Sequence, residues 1–372
     1  MKKVLFTLML LVAATATMSA QDFEVAGIYY NVLSDTEVAV TNSHYIGDIN
    51  IPETVSYNGM VYSVTEIEPY AFYECYKLVS VIIPNTVKRI GDHAFYTCDS
   101  LINVSIGNSV THILDYAFSS CVSLTNFEFP NSVIHIGNSA FYGCEGLNNI
   151  NIPESVCEIG GDAFNGCSGL TSIIVDSRNA VYDSQNNCNA IIETASNTLV
   201  TGCRNTIIPS TVKTIGQNAF RGCYGLTNII IPASVTRIDY CAFCGCTGLT
   251  SINIPNSVTT IDSNAFLSCS GLTSVTIPGS VRTIGNGAFG RCTSLASIDV
   301  DTNNTVYDSR NNCNAIIKTA SNTLITGCQN TIIPNTVTSI GTDAFYFCSG
   351  LTSIDIPNSV TIIGENAFYF CI

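Results

Sequence analysis

An Ala-Phe pair recurs along this chain at a fixed interval, and no other feature restricts its folding as strongly. The Phe falls at 72, 95, 118, 141 and 164, then at 220, 243, 266 and 289, then at 345 and 368. The spacing is 23 residues, interrupted by two gaps of 56. Around each Phe the flanking positions are nearly fixed: Val eight before it (Val64, Val87, Val110), Ile five before, Cys three after and Leu six after. Two aliphatic or aromatic residues two apart follow, usually closed by Pro, as in Ile150, Ile152 and Pro153. A chain of 372 residues could hold two or three ordinary domains, but self-similarity at this period marks a stack of repeated units instead.

Each fixed position has a physical role. The I-x-I pair has the two-residue period of a short strand with both side chains on one face. The Pro ends that strand, because it has no N–H to give to a ladder. Gly91, Gly137, Gly160 and Gly216 fall at one phase, which predicts a tight turn, often with a left-handed residue; Leu114 at the same phase makes the requirement less than absolute. The A-F-x-x-C-x-x-L segment carries i, i+3 and i+6 spacing, which predicts a short helical or 3₁₀ turn packing back onto the strands. One such coil buries too little apolar surface to offset the entropy of ordering it, so neighbours must stack and share a core. The expected fold is an elongated β-rich solenoid of about thirteen coils, roughly 60 Å long at ~4.8 Å per coil, with a parallel sheet of I-x-I segments along it.

The two long gaps match each other. Val181 to Ala190 (VYDSQNNCNA) recurs 125 residues later as Val306 to Ala315 (VYDSRNNCNA). Each gap opens on a strand, such as Ile173 and Val175, and closes on an Ile-Ile-Pro, such as Ile207, Ile208 and Pro209. Both read as enlarged coils, near 173–208 and 298–333, carrying a hairpin with its tip near Ala195-Ser196-Asn197 or Ala320-Ser321-Asn322. Residues 21–66 form a β cap and first coil, with an Ala26-Gly27 turn and a hairpin insertion around Asn58-Gly59. The repeat array then covers 67–372 and stops in mid-repeat at Cys371-Ile372 without a polar cap, so either the last coil frays or the natural protein continues.

Residues 1–20 read as an export signal: Lys2 and Lys3, an apolar run from Val4 to Ala14, and small residues at Ser19-Ala20. Cleavage is expected after Ala20, with Ala16 as the alternative because Met18 is larger than usual three residues before a cut. The run is too short to span a bilayer well, and no later segment approaches the roughly 20 apolar residues a spanning helix needs. Charged residues are only 11% of the chain against 46% hydrophobic, which leaves Ser, Thr and Asn to face water and excludes a disordered chain. The net charge of −14 becomes −16 without Lys2 and Lys3, and no Lys/Arg run exists to gather phosphates. Nucleic acid and membrane insertion are thus not expected; an exported monomer, secreted or on a bacterial surface, is.

With this motif in hand, the chain resembles the bacterial BspA-type leucine-rich repeats of cell-surface and secreted proteins, over about residues 49–372. The resemblance implies a right-handed solenoid and a non-enzymatic role in adhesion or protein binding, as for members that bind host matrix proteins or other microbes. It carries over no catalytic residue or cofactor. The anchoring or secretion domains of many members are not seen here.

The residues that could carry chemistry have simpler readings beside them. Eleven of the eighteen cysteines, from Cys75 to Cys371, share one phase; side chains in phase point in parallel, which favours an inert ladder in the core over disulfides. Cys188 with Cys203, and Cys313 with Cys328, each bracket a hairpin and are the better disulfide candidates. Cys241, Cys244 and Cys246 include a C-x-x-C, but zinc wants a second pair and none lies in the flanking coils, so substitution within a Cys-rich repeat explains them best. His112 and His135 share a phase that elsewhere holds Glu66, Arg89, Glu158 and Thr214, a solvated position. His44 and His93 have no repeat-related partner. A solenoid carbohydrate-cleaving enzyme would need paired carboxylates or a calcium cluster; Asp299, Asp301, Asp308 and Arg310 lie close in sequence, yet Ile174 and Gln185 replace two of them in the twin copy.

The binding face is expected at the residues pointing outward between the two buried positions of each strand: Ser105, Glu128, Asn151, Asn253, Thr276, Asp299 and Asp355. A regular ladder lets weak contacts add on one extracellular protein or glycan. The hairpin insertions are the second choice of face, and a spacer without a specific ligand is the alternative role.

Overall fold

In the computed structural model, which describes residues 21–371, the chain winds into a β-solenoid of about 14 coils. The residues expected in the export signal lie outside that range. The repeat positions of successive coils converge on a shared interior: Val64, Val87 and Val110, Ile67, Ile90 and Ile113, Leu78, Leu101 and Leu124 are all buried. The Phe side chains form a column with successive rings nearly parallel, Phe95 to Phe118 at 4.8 Å and Phe243 to Phe266 at 5.2 Å between centroids. This is hydrophobic burial with regular offset stacking added.

Three backbone ladders hold neighbouring coils together. The first runs through two-residue rungs at V-x-x-I, where Arg89–Ile90, His112–Ile113, His135–Ile136 and Glu158–Ile159 pair in parallel. The second is the expected I-x-I sheet, and it is discontinuous. Gly47–Asn50, Leu78–Ile83 and Asn103–Ile106 form one piece, Asn149–Ile152 with Ser172–Val175 another, and Ser274–Ile277 with Ser297–Val300 a third. Between the pieces the coils touch through single bridges such as Asn103 to Asn126 and Ile230 to Asn253. At Phe127 and Phe129 the cause is visible: these rings stand edge-on to Phe118 and Phe141 at 4.6–5.4 Å. The Thr125 N–H reaches the Ile102 carbonyl at 3.5 Å, where Ile102 reaches Val79 at 2.9 Å.

The third ladder replaces the helical turns expected at A-F-x-x-C-x-x-L. Two residues in each of these corners are left-handed, Tyr70 (φ 63) and Glu74 (φ 55) in one coil, His93 (φ 56) and Thr97 (φ 57) in the next. Left-handed residues break a helical run, and the freed amides turn to the neighbouring coil. Tyr70 N donates to Asp92 O at 2.9 Å, Phe72 N to Ala94 O at 2.6 Å and Glu74 N to Tyr96 O at 2.8 Å. The helical segments among the described residues are the single 3₁₀ turns Gln185–Asn187 and Arg310–Asn312. The glycine phase is also corrected. Gly91 has no left-handed φ; a Cβ there would lie 2.4 Å from Pro69 N, so glycine permits close approach of coils, and the left-handed residue comes two positions later.

Each enlarged coil is a three-stranded meander. Tyr182–Asp183, Ala190–Glu193 and Thr198–Gly202 pair antiparallel, and Thr198–Gly202 then pairs in parallel with Thr214–Ile215. The twin is Tyr307–Asp308, Ala315–Lys318 and Thr323–Gly327. At the Ala-Phe corner the coils meet directly across the insertion, Gly166 N donating to Arg221 O at 3.2 Å. In the N-terminal region Phe23–Val25 and Ile28–Val32 form a hairpin, and Glu37–Val40 joins Met60–Ile67 in parallel, adding a rung to the first ladder. That rung is the coil beyond the thirteen expected.

Candidate functional site

The I-x-I face places all seven of the outward residues named from sequence in solvent. Four of them come together in pairs at the breaks in the sheet. Ser105 and Glu128 line an open groove of about 360 Å³ with Asn103, Asn126, Phe129 and Pro130. Asn253 and Thr276 line a second, of about 450 Å³, with Ser251, Asn256, Pro278 and Asp301. Both grooves lie where adjacent coils lack a full set of ladder bonds, so backbone groups border them beside the polar side chains. Asn151 and Asp299 sit in paired strands opposite Ile174 and Thr276. Asp355 is exposed on a coil without a strand at this face.

The sequence reading took only the polar members of this column. In the same phase stand Ile82, Ile174, Ile207, Ile230 and Ile332, all exposed; Ile207 is 73% and Ile230 78% accessible. Apolar side chains so open on a sheet face are worth notice in an otherwise polar column. The signal was present in the sequence as Ile-Ile-Pro where other copies read Ile-Asn-Ile-Pro or Val-Thr-Ile-Pro.

The Ala-Phe corner holds a second surface that periodicity alone did not reveal. Tyr70, His93 and Tyr116 stack in one row, centroids 5.0 and 4.7 Å apart, and Tyr73 and Tyr96 stack beside them at 5.3 Å. His93 therefore has repeat-related partners, and they are tyrosines. Burial lowers its pKa, against the pull of Asp92 and Asp115, and its Nδ1 is enclosed without a hydrogen-bond partner. His112 and His135 lie side by side with rings tilted by 33° and centroids 5.7 Å apart, and His135 Nδ1 is 3.0 Å from Glu158 Oε2.

The cysteines are free thiols. Cys98 Sγ reaches the Phe72 carbonyl at 3.0 Å and Cys121 that of Phe95 at 3.1 Å; Cys144, Cys167, Cys246, Cys269 and Cys292 do likewise. The ladder is thus a set of small buried groups, each closing weakly on the preceding coil. The pairs expected as disulfides are unbonded. Cys188 and Cys203 point at the carbonyls of Ala190 and Asn189, and Cys313 and Cys328 at those of Ala315 and Asn314, each inside its own hairpin.

The carboxylates near Asp299 do not converge. Asp299 accepts from the Ser309 hydroxyl at 2.9 Å, Asp301 accepts from Asn303, and Asp308 is held by Arg310 at 2.6 Å. Each stabilises a local turn. Among the described residues no group of three His, Cys, Asp or Glu side chains is arranged to hold a metal ion, and no helix is long and apolar enough to cross a membrane.

Comparison with known proteins agrees with this geometry. The model of the BspA-type leucine-rich-repeat region matches in six copies, over residues 65–191, 199–318 and 321–372. A leucine-rich-repeat protein from Bacteroides ovatus is 28% identical over 94% of this chain and 80% of its own, with a TM-score of 0.55. One from Eubacterium ventriosum is 23% identical over 95% and 94%, at 0.59. The pneumococcal vaccine antigen PcpA is 18% identical over 92% and 98%, at 0.62, and shares the fold. A comparison with curated proteins found no match. The column spacing, the stacked coils and a family match over most of the chain lead to one conclusion: this protein belongs to the BspA-type leucine-rich-repeat family.

Proposed function

We propose that this is an exported, non-enzymatic binding protein that grips an extracellular protein along its I-x-I face. The observation that carries the reading is the coincidence of the two grooves with the breaks in that sheet. There Ser105 with Glu128, and Asn253 with Thr276, offer hydrogen-bonding groups on a rigid frame. Ile207 and Ile230 stand on neighbouring coils one step before the second groove. Exposed apolar anchors beside polar groups are what a protein partner uses, since a few desolvated side chains supply most of the affinity. Membership of the BspA-type leucine-rich-repeat family supports a location on the cell surface or outside the cell, and the 1–20 segment supports export.

The test is binding to arrays of extracellular-matrix proteins and of glycans, followed by variants of the face. Replacing Asn253 and Thr276 with Ala together with Ile230→Asp should weaken a saturable protein partner at least tenfold, about 1.4 kcal/mol. Unchanged affinity would remove this face. Saturable binding to glycans alone would change the partner class, and no saturable partner would favour a spacer. Degradation of a polysaccharide in a broad screen would overturn the non-enzymatic reading.

A further inference from the structure

Seven cysteines stand outside the ladder, and two of them share one turn. Cys241 and Cys244 lie on the Ala-Phe corner, one residue before Ala242 and one after Phe243. The amide of Cys244 donates to the Cys241 carbonyl at 3.0 Å, so the two are the ends of one β-turn. A β-turn brings its terminal Cα atoms within about 7 Å, which overlaps the range a disulfide spans. The two thiols lie close enough for each to act on the other's ionisation, with Tyr240 and Arg221 nearby, and Cys241 is the buried member of the pair. Among the described residues these two close on no backbone carbonyl, in contrast to Cys246 in the same corner, which reaches Phe220 O at 3.2 Å. Cys244 is partly open to solvent, whereas Cys98, Cys121 and Cys144 are fully enclosed.

We propose that Cys241 and Cys244 form a redox-sensitive dithiol that exchanges with small disulfides, closing an intramolecular bond on the solenoid corner while the core thiols stay reduced. One thiolate of the pair attacks a sulfur of the incoming disulfide, whose S–S bond breaks to release one thiolate that takes up a proton. The second protein thiol then loses its proton and attacks the mixed disulfide at the protein sulfur, expelling the other small thiol. Two protein thiols are oxidised, one small disulfide is reduced to two thiols, and protons balance.

The local electrostatics favour this chemistry at this corner. The neighbouring Cys244 thiol draws the Cys241 thiol down to about 7 against the effect of burial, with Tyr240 and the Arg221 guanidinium adding to the pull, while Cys244 is pushed up in return, so the pair gives up one proton readily and holds the second. The thiolate is the reactive form. In the ladder, burial pushes the Cys144 and Cys246 thiols well up. Cys157 is exposed but reaches the Ile134 carbonyl at 3.4 Å and has no cysteine across its turn.

The experiment uses the full reduced chain in native buffer, equilibrated with mixtures of glutathione and glutathione disulfide, quenched with acid, alkylated and mapped by mass spectrometry. The expected result is one cross-link, Cys241 to Cys244, and loss of two alkylatable thiols. Cys241→Asn places the residue found at Asn218 and Asn264 at the same left-handed corner position, where Asn is well tolerated; it should abolish the cross-link and leave Cys244 carrying glutathione. Two thiols that stay alkylatable under the most oxidising mixture would overturn the proposal. So would separate glutathiones on both in the wild-type chain, or cross-linking of ladder cysteines at the same ratio.

Discussion

The repeat assigns each residue type a contact that size and polarity explain. Phe118 lies between Phe95 and Phe141 at 4.8 and 5.3 Å, so Phe118→Ala should open a cavity two coils deep and cost about 3–5 kcal/mol, read as a shift in the urea midpoint. The thiol of the Cys column is small enough to pack between coils and polar enough to meet a carbonyl, which is why spacing alone could identify a ladder but not its acceptor. His93 is the odd member of a tyrosine row, and its titration has a definite sign. Its folded pKa lies below the unfolded value of about 6.5, so the neutral ring is favoured by folding. That contribution is present above pH 6.5 and lost as pH falls through the folded pKa. His93→Tyr, which copies Tyr70 and Tyr116, should therefore flatten the loss of melting temperature between pH 7 and pH 5.

At the scale of elements, the V-x-x-I rungs pair without interruption between the enlarged coils, from Glu66–Ile67 to Glu158–Ile159 and from Thr214–Ile215 to Thr283–Ile284, while the I-x-I sheet is broken within those same runs. Hydrogen exchange should report this as faster exchange at the 125–128 and 251–254 amides than at the 89–90 and 112–113 rungs. Equal protection would mean that the breaks close in solution. The hairpins fit because glycine meets a ring. A Cβ on Gly202 would lie 2.1 Å from the Phe220 ring, and Gly327 repeats this against Phe345. Gly202→Ala should destabilise by about 1–3 kcal/mol, measured by denaturant unfolding, because a rigid aromatic must shift. The hairpin tips and the Asn58-Gly59 turn were legible in sequence, since turn chemistry is local. The corner was not: i, i+3 and i+6 spacing fits a helical turn as well as a turn broken by two left-handed residues, and only the neighbouring coil decides where the amides go.

Across the whole molecule, the buried residues fall into three packed groups that meet at the enlarged coils, with Ile191 and Cys203 in the first, Cys188 and Ile192 in the second, and Cys313 and Ala315 in the third. A linear stack whose contacts are between neighbours need not unfold in one step. The third group is the smallest, and Cys348, Leu351 and Ile354 beside it are only partly buried. Exchange under mild urea should therefore open residues 335–371 before 67–164; simultaneous opening would show that the seams are not boundaries of cooperativity. The sequence by itself determined the stacked fold, the coil length, the columns that face inward and the place of the two insertions, because each depends on periodic burial and on turn residues close in the chain. Only the tertiary structure decided that Phe127 and Phe129 open the first groove in the I-x-I sheet, that exposed isoleucines share the polar column, that the Ala-Phe corners are ladders, and that Cys241 and Cys244 close one turn. These depend on the separation of adjacent coils, which side-chain volume across the stack sets and no single repeat contains.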